Sequence, residues 1–413
     1  MLPLNRRQFL ALSAAGLTLP KSVFASGAND RLFLMIFVRG GWDPTFVFTN
    51  QADNPYVYTP PYTELATHAA IPYMGSVLRP NVNSFFQSYG DRVCLVNGIE
   101  IASLTHDACR RIIFTGQAGA GKDDWPSIIG THSDFDLPVM VVSGPSFTSN
   151  YSQAVVRAGA DGQLAGLLDG TALAKSDRPL TGLSDTSSLR VQQYLQQRSE
   201  DLQSLAGAGR EHRFMQDLLS SYAQRDAALA LEGFELGSAT GYTSVPTQIE
   251  AAISTLTSGM SKCLVIEHNG LYESGWDHHS NIDSQTHHFD LLFSDLSWLM
   301  SMLPSWGLED RLTVCVFSEM GRAPQLNPIS GKDHWTFTSA MFMGAGVRGG
   351  QVIGGYDAGL VGQRINVNDG GLDPNGTALS SLNFGATLLA LAGVDPNDYV
   401  PGISPIYAAL TDS

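Results

Sequence analysis

Hydrophobic residues along the chain follow two patterns, short continuous runs and longer stretches with a helical period. Six runs of six or seven residues contain almost no polar side chain. A strand with this pattern is buried on both faces, as in a parallel sheet that is covered by helices. The runs are residues 32–38, 93–99, 138–143, 262–268, 312–318 and 339–345. The pattern therefore predicts six strands of one mostly parallel sheet.

Segments with a helical period lie between these runs. Helices are predicted over residues 81–89, from about residue 105, and over residues 285–303, where leucines recur on one face. A glutamine- and alanine-rich block over residues 185–235 also keeps a helical period, and we interpret it as a helical insertion. Alternating strands and helices predict an α/β fold, a doubly wound and mostly parallel sheet with helices on both faces.

The first residues have the features of an export signal. Arg6 and Arg7 form a twin-arginine pair, a short apolar run follows over residues 9–20, and Ala25 ends a small-residue cleavage site. The apolar run is too short to span a bilayer, and no later segment is long enough. We expect the twin-arginine machinery to export the folded chain to the periplasm or beyond. Residues 1–25 would be removed, leaving a single α/β domain over residues 30–413.

Charge and cysteine content narrow the possible partners. The chain of 413 residues has a formal net charge of −15, which argues against binding nucleic acid or an anionic membrane surface through basic patches. Its four cysteines form no CxxC pair, and three of them lie inside apolar runs, where a cysteine is usually a small core residue. They are Cys94, Cys109, Cys263 and Cys315. We therefore expect no structural disulfide and no thiolate-based zinc site.

Polar side chains that could bind a metal ion or take part in catalysis follow four of the predicted strands. In an open parallel sheet, ligands bind in the crevice beyond the carboxyl ends of the strands. The side chains found there, in chain order, are Arg39, Asp43, Ser103, Thr105, His106, Asp107, Asp277, His278, His279, Glu319, Arg322, Asp333 and His334. We expect most of them to meet at one edge of the sheet.

These residue types fit a metal-dependent site. Carboxylates and imidazoles together suit zinc, manganese or iron, and such cations can bind a phosphoryl or sulfuryl group. Thr105 lies where a helix would begin, so its hydroxyl could attack an anionic ester, or it could be an ordinary helix cap. Arg39 and Arg322 could each bind a tetrahedral anion through two N–H groups, or form structural ion pairs.

Taken in order, these motifs resemble a large group of exported bacterial proteins in the alkaline phosphatase and sulfatase superfamily. The motifs are the twin-arginine leader, RGGWD at 39–43, the threonine and histidine at 105–106, GWDHH at 275–279, SEMGR at 318–322 and DH at 333–334. The resemblance covers nearly the whole chain after the leader, and it implies the alkaline phosphatase-like form of the α/β fold.

The resemblance also implies roles for individual residues. The implied metal ligands are Asp43, Asp277, His279, Glu319 and His334, with Asp333 or His106 available to complete a second site. Thr105 would be the nucleophile with Ser103 in reserve, His106 would assist catalysis, and Arg322 would bind the anion. His278 would turn outward or support its neighbours. Met320 and Glu319 depart from the histidine and aspartate of the superfamily, which puts the second metal ion in doubt.

The resulting expectation is an exported metal-dependent hydrolase or transferase that acts on a small anionic ester, a phosphate or a sulfate. It would use one or two divalent cations, with zinc or manganese favoured. The alternative is a non-catalytic metal-binding protein of the cell envelope that keeps the fold as a binding or assembly module. Met320, at a ligand-like position, supports the alternative.

Overall fold

A computed structural model describes residues 31–157, 185–205, 243–271 and 275–411, together with positions 212, 215 and 219. The predicted leader lies outside these residues, as does most of the predicted insertion after residue 205. The leader, the single domain over 30–413 and the full insertion therefore stay predictions. None of the described helices combines the length and the hydropathy that crossing a membrane requires.

The centre of the fold is an eight-stranded sheet with the strand order β12-β4-β11-β8-β1-β7-β5-β6. Two smaller sheets pair β2 with β3 and β9 with β10. The strands are β1 (Leu32–Val38), β2 (Thr63–His68), β3 (Ile71–Ser76), β4 (Val93–Glu100), β5 (Val139–Val141), β6 (Val155–Arg157), β7 (Cys263–His268), β8 (Leu312–Ser318), β9 (Gly321–Arg322), β10 (His334–Trp335), β11 (Phe337–Gly344) and β12 (Gln351–Ile353). All six predicted apolar runs are strands of the central sheet.

One central strand runs against the others. β11 pairs antiparallel with both β4 and β8, whereas the other pairings of the large sheet are parallel. The 18 residues between β8 and β11 contain only the short β9 and β10 and no helix. A parallel return needs a longer crossover, usually through a helix, so the chain comes back antiparallel.

Helices cover both faces of the sheet, as predicted. They are α1 (Pro80–Tyr89), α2 (His106–Thr115), α3 (Trp125–Thr131), α4 (Asp185–Leu205), α5 (Val245–Thr257), α6 (Gln285–Trp306) and α7 (Ser381–Leu391). Even-numbered residues of β1 pack with α1, α5 and α6, and its odd-numbered residues pack with α2, α3 and α7. This alternation follows from the pleat of a strand and creates two apolar cores. The doubly wound α/β fold is confirmed.

The pairing of β7, β1 and β8 decides where the polar loops meet. Val38 at the end of β1 pairs with His268 of β7 and with Ser318 of β8, so all three strands end together. The loop after β1 then lies directly against the loop after β7. At Gly40, which has a φ of 118°, a Cβ atom would lie only 2.7 Å from the backbone nitrogen of Asp277. A glycine is therefore needed for this close approach.

Candidate metal centre

Three histidines surround the carboxylate of Asp277. The Nε2 atom of His106 lies 3.1 Å from Asp277 Oδ2. On the other carboxylate oxygen, Oδ1, the Nε2 atoms of His279 and His334 lie at 3.2 and 3.4 Å. These last two nitrogens are 2.9 Å apart. The residues come from the start of α2, from the loop after β7 and from the start of β10, so the fold brings together chain segments far apart in sequence.

The second ring nitrogen of each histidine faces a hydrogen-bond acceptor. His106 Nδ1 lies 2.9 Å from Glu319 Oε1, and His334 Nδ1 lies 2.5 Å from the carbonyl oxygen of Leu104. His279 Nδ1 lies 3.4 Å from Asp333 Oδ1. A proton on each Nδ1 satisfies these acceptors and leaves the Nε2 lone pair of each ring directed toward the centre. Metal-binding histidines are held in the same way.

Electrostatics show that this cluster favours a positive charge. Burial lowers the pKa of His106, but hydrogen bonds and negative charge from Asp277 and Glu319 outweigh that effect and raise the pKa to about 9. Burial by itself would raise the pKa of Asp277. Hydrogen bonds from His106, His334 and Arg322 hold that pKa well below its usual range. A proton or a metal ion would relieve the repulsion between the converging lone pairs and carboxylate oxygens.

Glu319 contacts the ring of His106 on the side that faces away from Asp277. Its buried carboxylate accepts hydrogen bonds from the backbone N–H of Gly40, at 2.9 and 3.1 Å, and from the Ser318 hydroxyl at 3.1 Å. Its remaining contact is with Nδ1 of His106, the side of the ring that faces away from Asp277. The structure therefore places Glu319 where it orients an imidazole, whereas the resemblance implied a direct ligand. The adjacent Met320 is buried in the apolar core.

Arg322 is engaged by the chain itself. Its guanidinium is fully buried and contacts Asp277 Oδ1 at 2.6 Å. Its other N–H groups donate to main-chain carbonyl oxygens, at 2.9 Å to Gly41 and 3.1 Å to Lys332, and also to Gly40 and Trp276. The expectation that Arg322 binds a substrate anion does not fit these contacts, because all three nitrogens of the buried guanidinium have partners and no free pair of donors remains. Arg322 instead positions Asp277.

Asp43 lies apart from the histidine cluster. One carboxylate oxygen is 2.7 Å from Lys332 Nζ, and the other accepts from the backbone and the hydroxyl of Thr45. Both members of the ion pair are fully buried, and Lys332 also donates to the Thr45 hydroxyl and to the carbonyl of Tyr58. An ammonium group thus stands where the resemblance placed a metal ion. Sequence reasoning missed Lys332, although a lysine directly before Asp333 and His334 was a visible signal.

The two candidate hydroxyls, Ser103 and Thr105, lie just before His106 in the chain, and Thr105 is exposed. Thr105 precedes α2 as its N-cap residue, but its side chain makes no capping hydrogen bond. The Ser103 hydroxyl accepts from the Thr105 backbone N–H at 3.3 Å and lies 3.5 Å from the Thr105 hydroxyl. Because Leu104 contacts His334 and His106 contacts Asp277, both neighbours of Thr105 are tied to the centre.

Two further histidines near the centre, one in the loop after β7 and one in α6, point into the protein. His278 is buried and its ring packs against that of His288, at 5.1 Å between centroids. His288, in the first turn of α6, is also buried and packs on Trp276. Burial lowers the pKa of His288 to about 3. His278 therefore neither turns outward nor belongs to the centre, whereas Asp333 is exposed and reaches the centre only through His279.

A family profile matches residues 32–412, almost the entire described part of the chain. The chain belongs to the family described as protein of unknown function (DUF1501). No curated protein matches the chain. The family match agrees with the resemblance to one protein family over nearly the whole chain after the leader, and export by the leader stays a prediction.

Solved structures with a similar fold include three bacterial proteins. One is the PsFucS1 sulfatase from Pseudoalteromonas sp., with 9% identity, a TM-score of 0.42 and coverage of 92% of this chain and 72% of that one. A second is the lipoteichoic acid synthase LtaP from Listeria monocytogenes, with 8% identity, a TM-score of 0.42 and coverage of 93% and 77%. The third is an alkaline phosphatase superfamily protein from Vibrio parahaemolyticus, with 11% identity, a TM-score of 0.39 and coverage of 92% and 71%.

Proposed function

We propose that this DUF1501 protein is a hydrolase or transferase for a small phosphate or sulfate ester and depends on one divalent cation. His106, Asp277, His279 and His334 would hold the cation. The observation that carries the proposal is the convergence of three Nε2 atoms on one carboxylate while every Nδ1 atom is engaged elsewhere. Three imidazoles and a carboxylate form a donor set that suits zinc, with manganese as the second choice.

A second cation does not fit the neighbouring residues. Asp43, the ligand that the resemblance implied for it, is neutralised by Lys332 at 2.7 Å, and Met320 lies in the apolar core. Placing a divalent cation beside Asp43 would bring it close to a buried ammonium group, which is unfavourable at short range. Our proposal therefore includes one ion and assigns Asp43 and Lys332 to the structure of the loops.

When bound, the cation would polarise an ester oxygen and lower the pKa of a coordinated water or hydroxyl. The residues of the chain would supply the rest. Thr105, or Ser103 in its place, would attack the phosphorus or sulfur atom, and the alcohol would leave with a proton. Water would then release the phosphate or sulfate and restore the hydroxyl. The backbone N–H groups at the start of α2 favour the negative charge that develops there.

A metal and turnover experiment tests the proposal. The protein is loaded with zinc or manganese, its metal content is measured by mass spectrometry, and hydrolysis of 4-nitrophenyl phosphate and 4-nitrophenyl sulfate is followed. We expect one ion per chain, lost in Asp277→Asn together with turnover of at least one ester. Asp134→Asn is the matched control, because Asp134 is exposed and lies before β5, at the opposite edge of the sheet. A metal-free wild-type protein that is inert on both esters contradicts the proposal.

A non-catalytic role is the second candidate, and the contacts of Arg322 favour it. Because the arginine predicted to bind substrate is buried and bonded to carbonyl oxygens, the fold could hold its ion for structure alone and serve as a binding module in the cell envelope. This candidate predicts a zinc-dependent rise in melting temperature with no hydrolysis of either ester. Export by the twin-arginine leader belongs to both candidates and is tested by cell fractionation of an Arg6→Lys/Arg7→Lys variant.

A further inference from the structure

Arg39 is the first residue after β1, and its guanidinium remains available to a ligand. The Arg39 side chain is 49% exposed, and its Nη1 atom lies 3.5 Å from Glu267 Oε1. Arg322, by comparison, is fully buried and donates to four carbonyl oxygens and a carboxylate. Of these two arginines beside the centre, only Arg39 can offer two N–H groups to an incoming anion.

Strand geometry places Arg39 on the side of the sheet that carries the centre. Odd-numbered residues of β1, β7 and β8 face the core formed with α2. Arg39, Glu267 and Glu319 continue this alternation at the three strand ends. Glu319 contacts His106 at the start of α2, and the negative charge of Glu319 also acts on Glu267. The guanidinium therefore lies on the same face as the proposed ligands.

The main chain of Arg39 is fixed between the loops of the centre. Its N–H donates to the carbonyl of His268 at 3.2 Å, and its carbonyl accepts from the N–H of Trp276 at 3.3 Å. Trp276 directly precedes Asp277, and Gly40, the next residue after Arg39, donates to Glu319. The position from which the Arg39 side chain extends is thus rigid, so ordering the side chain on a ligand costs only its own rotamer freedom.

Glu267 positions the guanidinium from the interior. Its carboxyl group is 7% exposed, and its backbone N–H donates to the Ser143 hydroxyl at 2.7 Å. Burial raises the pKa of Glu267, whereas the charge of Arg39 and a hydrogen bond from Asn269 lower it. The buried carboxylate restrains Nη1 of the guanidinium, while about half of the Arg39 side chain stays exposed.

We propose that Arg39 binds the tetrahedral anionic group of the substrate beside the metal centre, with Glu267 as a positioning residue. The identity of the group as the phosphate or sulfate of an ester rests on the proposed function. Binding of the free anion does not require turnover, so it can be measured separately. In a chain with a net charge of −15, a dedicated cation is needed to hold a dianion at this acidic edge.

Calorimetric titration tests the inference. Inorganic phosphate and inorganic sulfate are titrated separately into zinc-loaded wild-type protein and variants, which distinguishes the two anions. Arg39→Gln is expected to weaken binding of the preferred anion by about 10- to 100-fold, the range of a charge-assisted bidentate contact. The anion affinity of Arg39→Lys is expected to lie between those of wild type and Arg39→Gln, because lysine keeps the charge and loses the planar pair of donors. Bound zinc should remain at one ion per chain in every variant.

Arg92→Gln is the matched control. Arg92 also forms a partly exposed ion pair with a glutamate, Glu309, at 3.1 Å, but it precedes β4 at the opposite edge of the sheet. This variant should bind the anion within about twofold of wild type, since exposed pairs of this kind contribute little. A loss equal to that of Arg39→Gln would mean that only overall charge matters and would overturn the inference.

A double-mutant cycle separates positioning from general structural damage. Glu267→Gln should weaken anion binding less than Arg39→Gln does, and it should add no further loss in the Arg39→Gln background. Equal binding by wild type and Arg39→Gln, or no binding of either anion to wild type, overturns the inference. If Arg39→Gln loses anion binding but no ester is hydrolysed, the anion site stands and only the proposed catalysis fails.

Discussion

Two aspartates near the same edge of the sheet have different kinds of positively charged or metal-binding partner. Asp43 is fully buried and bound to Lys332, a cation that belongs to the chain. Asp277 is about one-third exposed and faces three imidazoles whose Nε2 lone pairs can accept an exchangeable cation. The difference lies in the partner and not in the carboxylate. A lysine closes a site to metal, whereas histidines held through Nδ1 keep it open.

The largest expected effect is the loss of stability when Asp43 is deprived of its partner Lys332. Lys332→Met leaves a buried carboxylate without its cation and should lower the free energy of unfolding by about 3–5 kcal/mol, measured by urea denaturation. The double variant Asp43→Asn/Lys332→Met should recover much of this loss, because it removes the uncompensated charge. A loss below about 1 kcal/mol in Lys332→Met would show that the ion pair is not needed.

Of these two aspartates, only Asp277 should be required for zinc to stabilise the protein. At a zinc concentration about 100 times the dissociation constant, a single site adds about 2.7 kcal/mol to the free energy of unfolding. Asp277→Asn should abolish this gain, and Asp43→Asn should keep it, although Asp43→Asn is less stable from the start. If Asp43→Asn also loses the response to zinc, Asp43 is a metal ligand and the comparison between the two aspartates fails.

Asp295 in α6 is another buried carboxyl, and among the described residues no cation forms an ion pair with it. Burial raises its pKa to about 7, although a hydrogen bond from the Val245 backbone works in the opposite direction. Folding therefore favours the protonated form, so stability decreases as pH rises from about 4 to about 7. Asp295→Asn should be more stable than wild type by about 2 kcal/mol at pH 9 and equal at pH 4. Thermal unfolding across this range checks the prediction, and a pH-independent difference would contradict it.

The smallest expected effect is that of Thr105 on stability. Its hydroxyl makes no capping bond, so Thr105→Ala should change the free energy of unfolding by less than about 0.5 kcal/mol while removing ester turnover. Ser244→Ala is the matched control at α5, where the Ser244 hydroxyl accepts from the backbone N–H of Thr247. That substitution should cost about 1 kcal/mol and leave turnover intact. The reverse result would make Thr105 a structural residue.

The sequence predicted the sheet well because its signal is local. Continuous apolar runs correspond to strands buried on both faces, and β1 and β8 have the predicted limits of 32–38 and 312–318. The direction of β11 could not be predicted, because it depends on how the chain returns after β8. The short edge strands β6 and β12 and the helix α7 were missed, since three-residue strands and a uniformly apolar helix have no clear period.

The candidate site was predictable in composition but not in pairing. The rule that ligands gather at strand ends identified His106, Asp277, His279 and His334, and these four side chains lie together in the structure. The same rule could not tell that Asp43 meets Lys332 or that Arg322 meets carbonyl oxygens, because both contacts depend on which loops touch. A motif gives the types of side chain at an edge, and packing decides which of them still face a ligand.

The buried guanidinium of Arg322 has a consequence for the order of folding and cation binding under the proposed function. It joins the loops after β1, β7 and β8 and the segment before β10 through carbonyl oxygens at Gly40, Gly41, Trp276 and Lys332. These contacts come from the chain alone, so the geometry around Asp277 does not depend on a bound ion. Under the proposed function, the folded chain would bind its cation at a preformed site, and the cations available after folding would decide which one it holds.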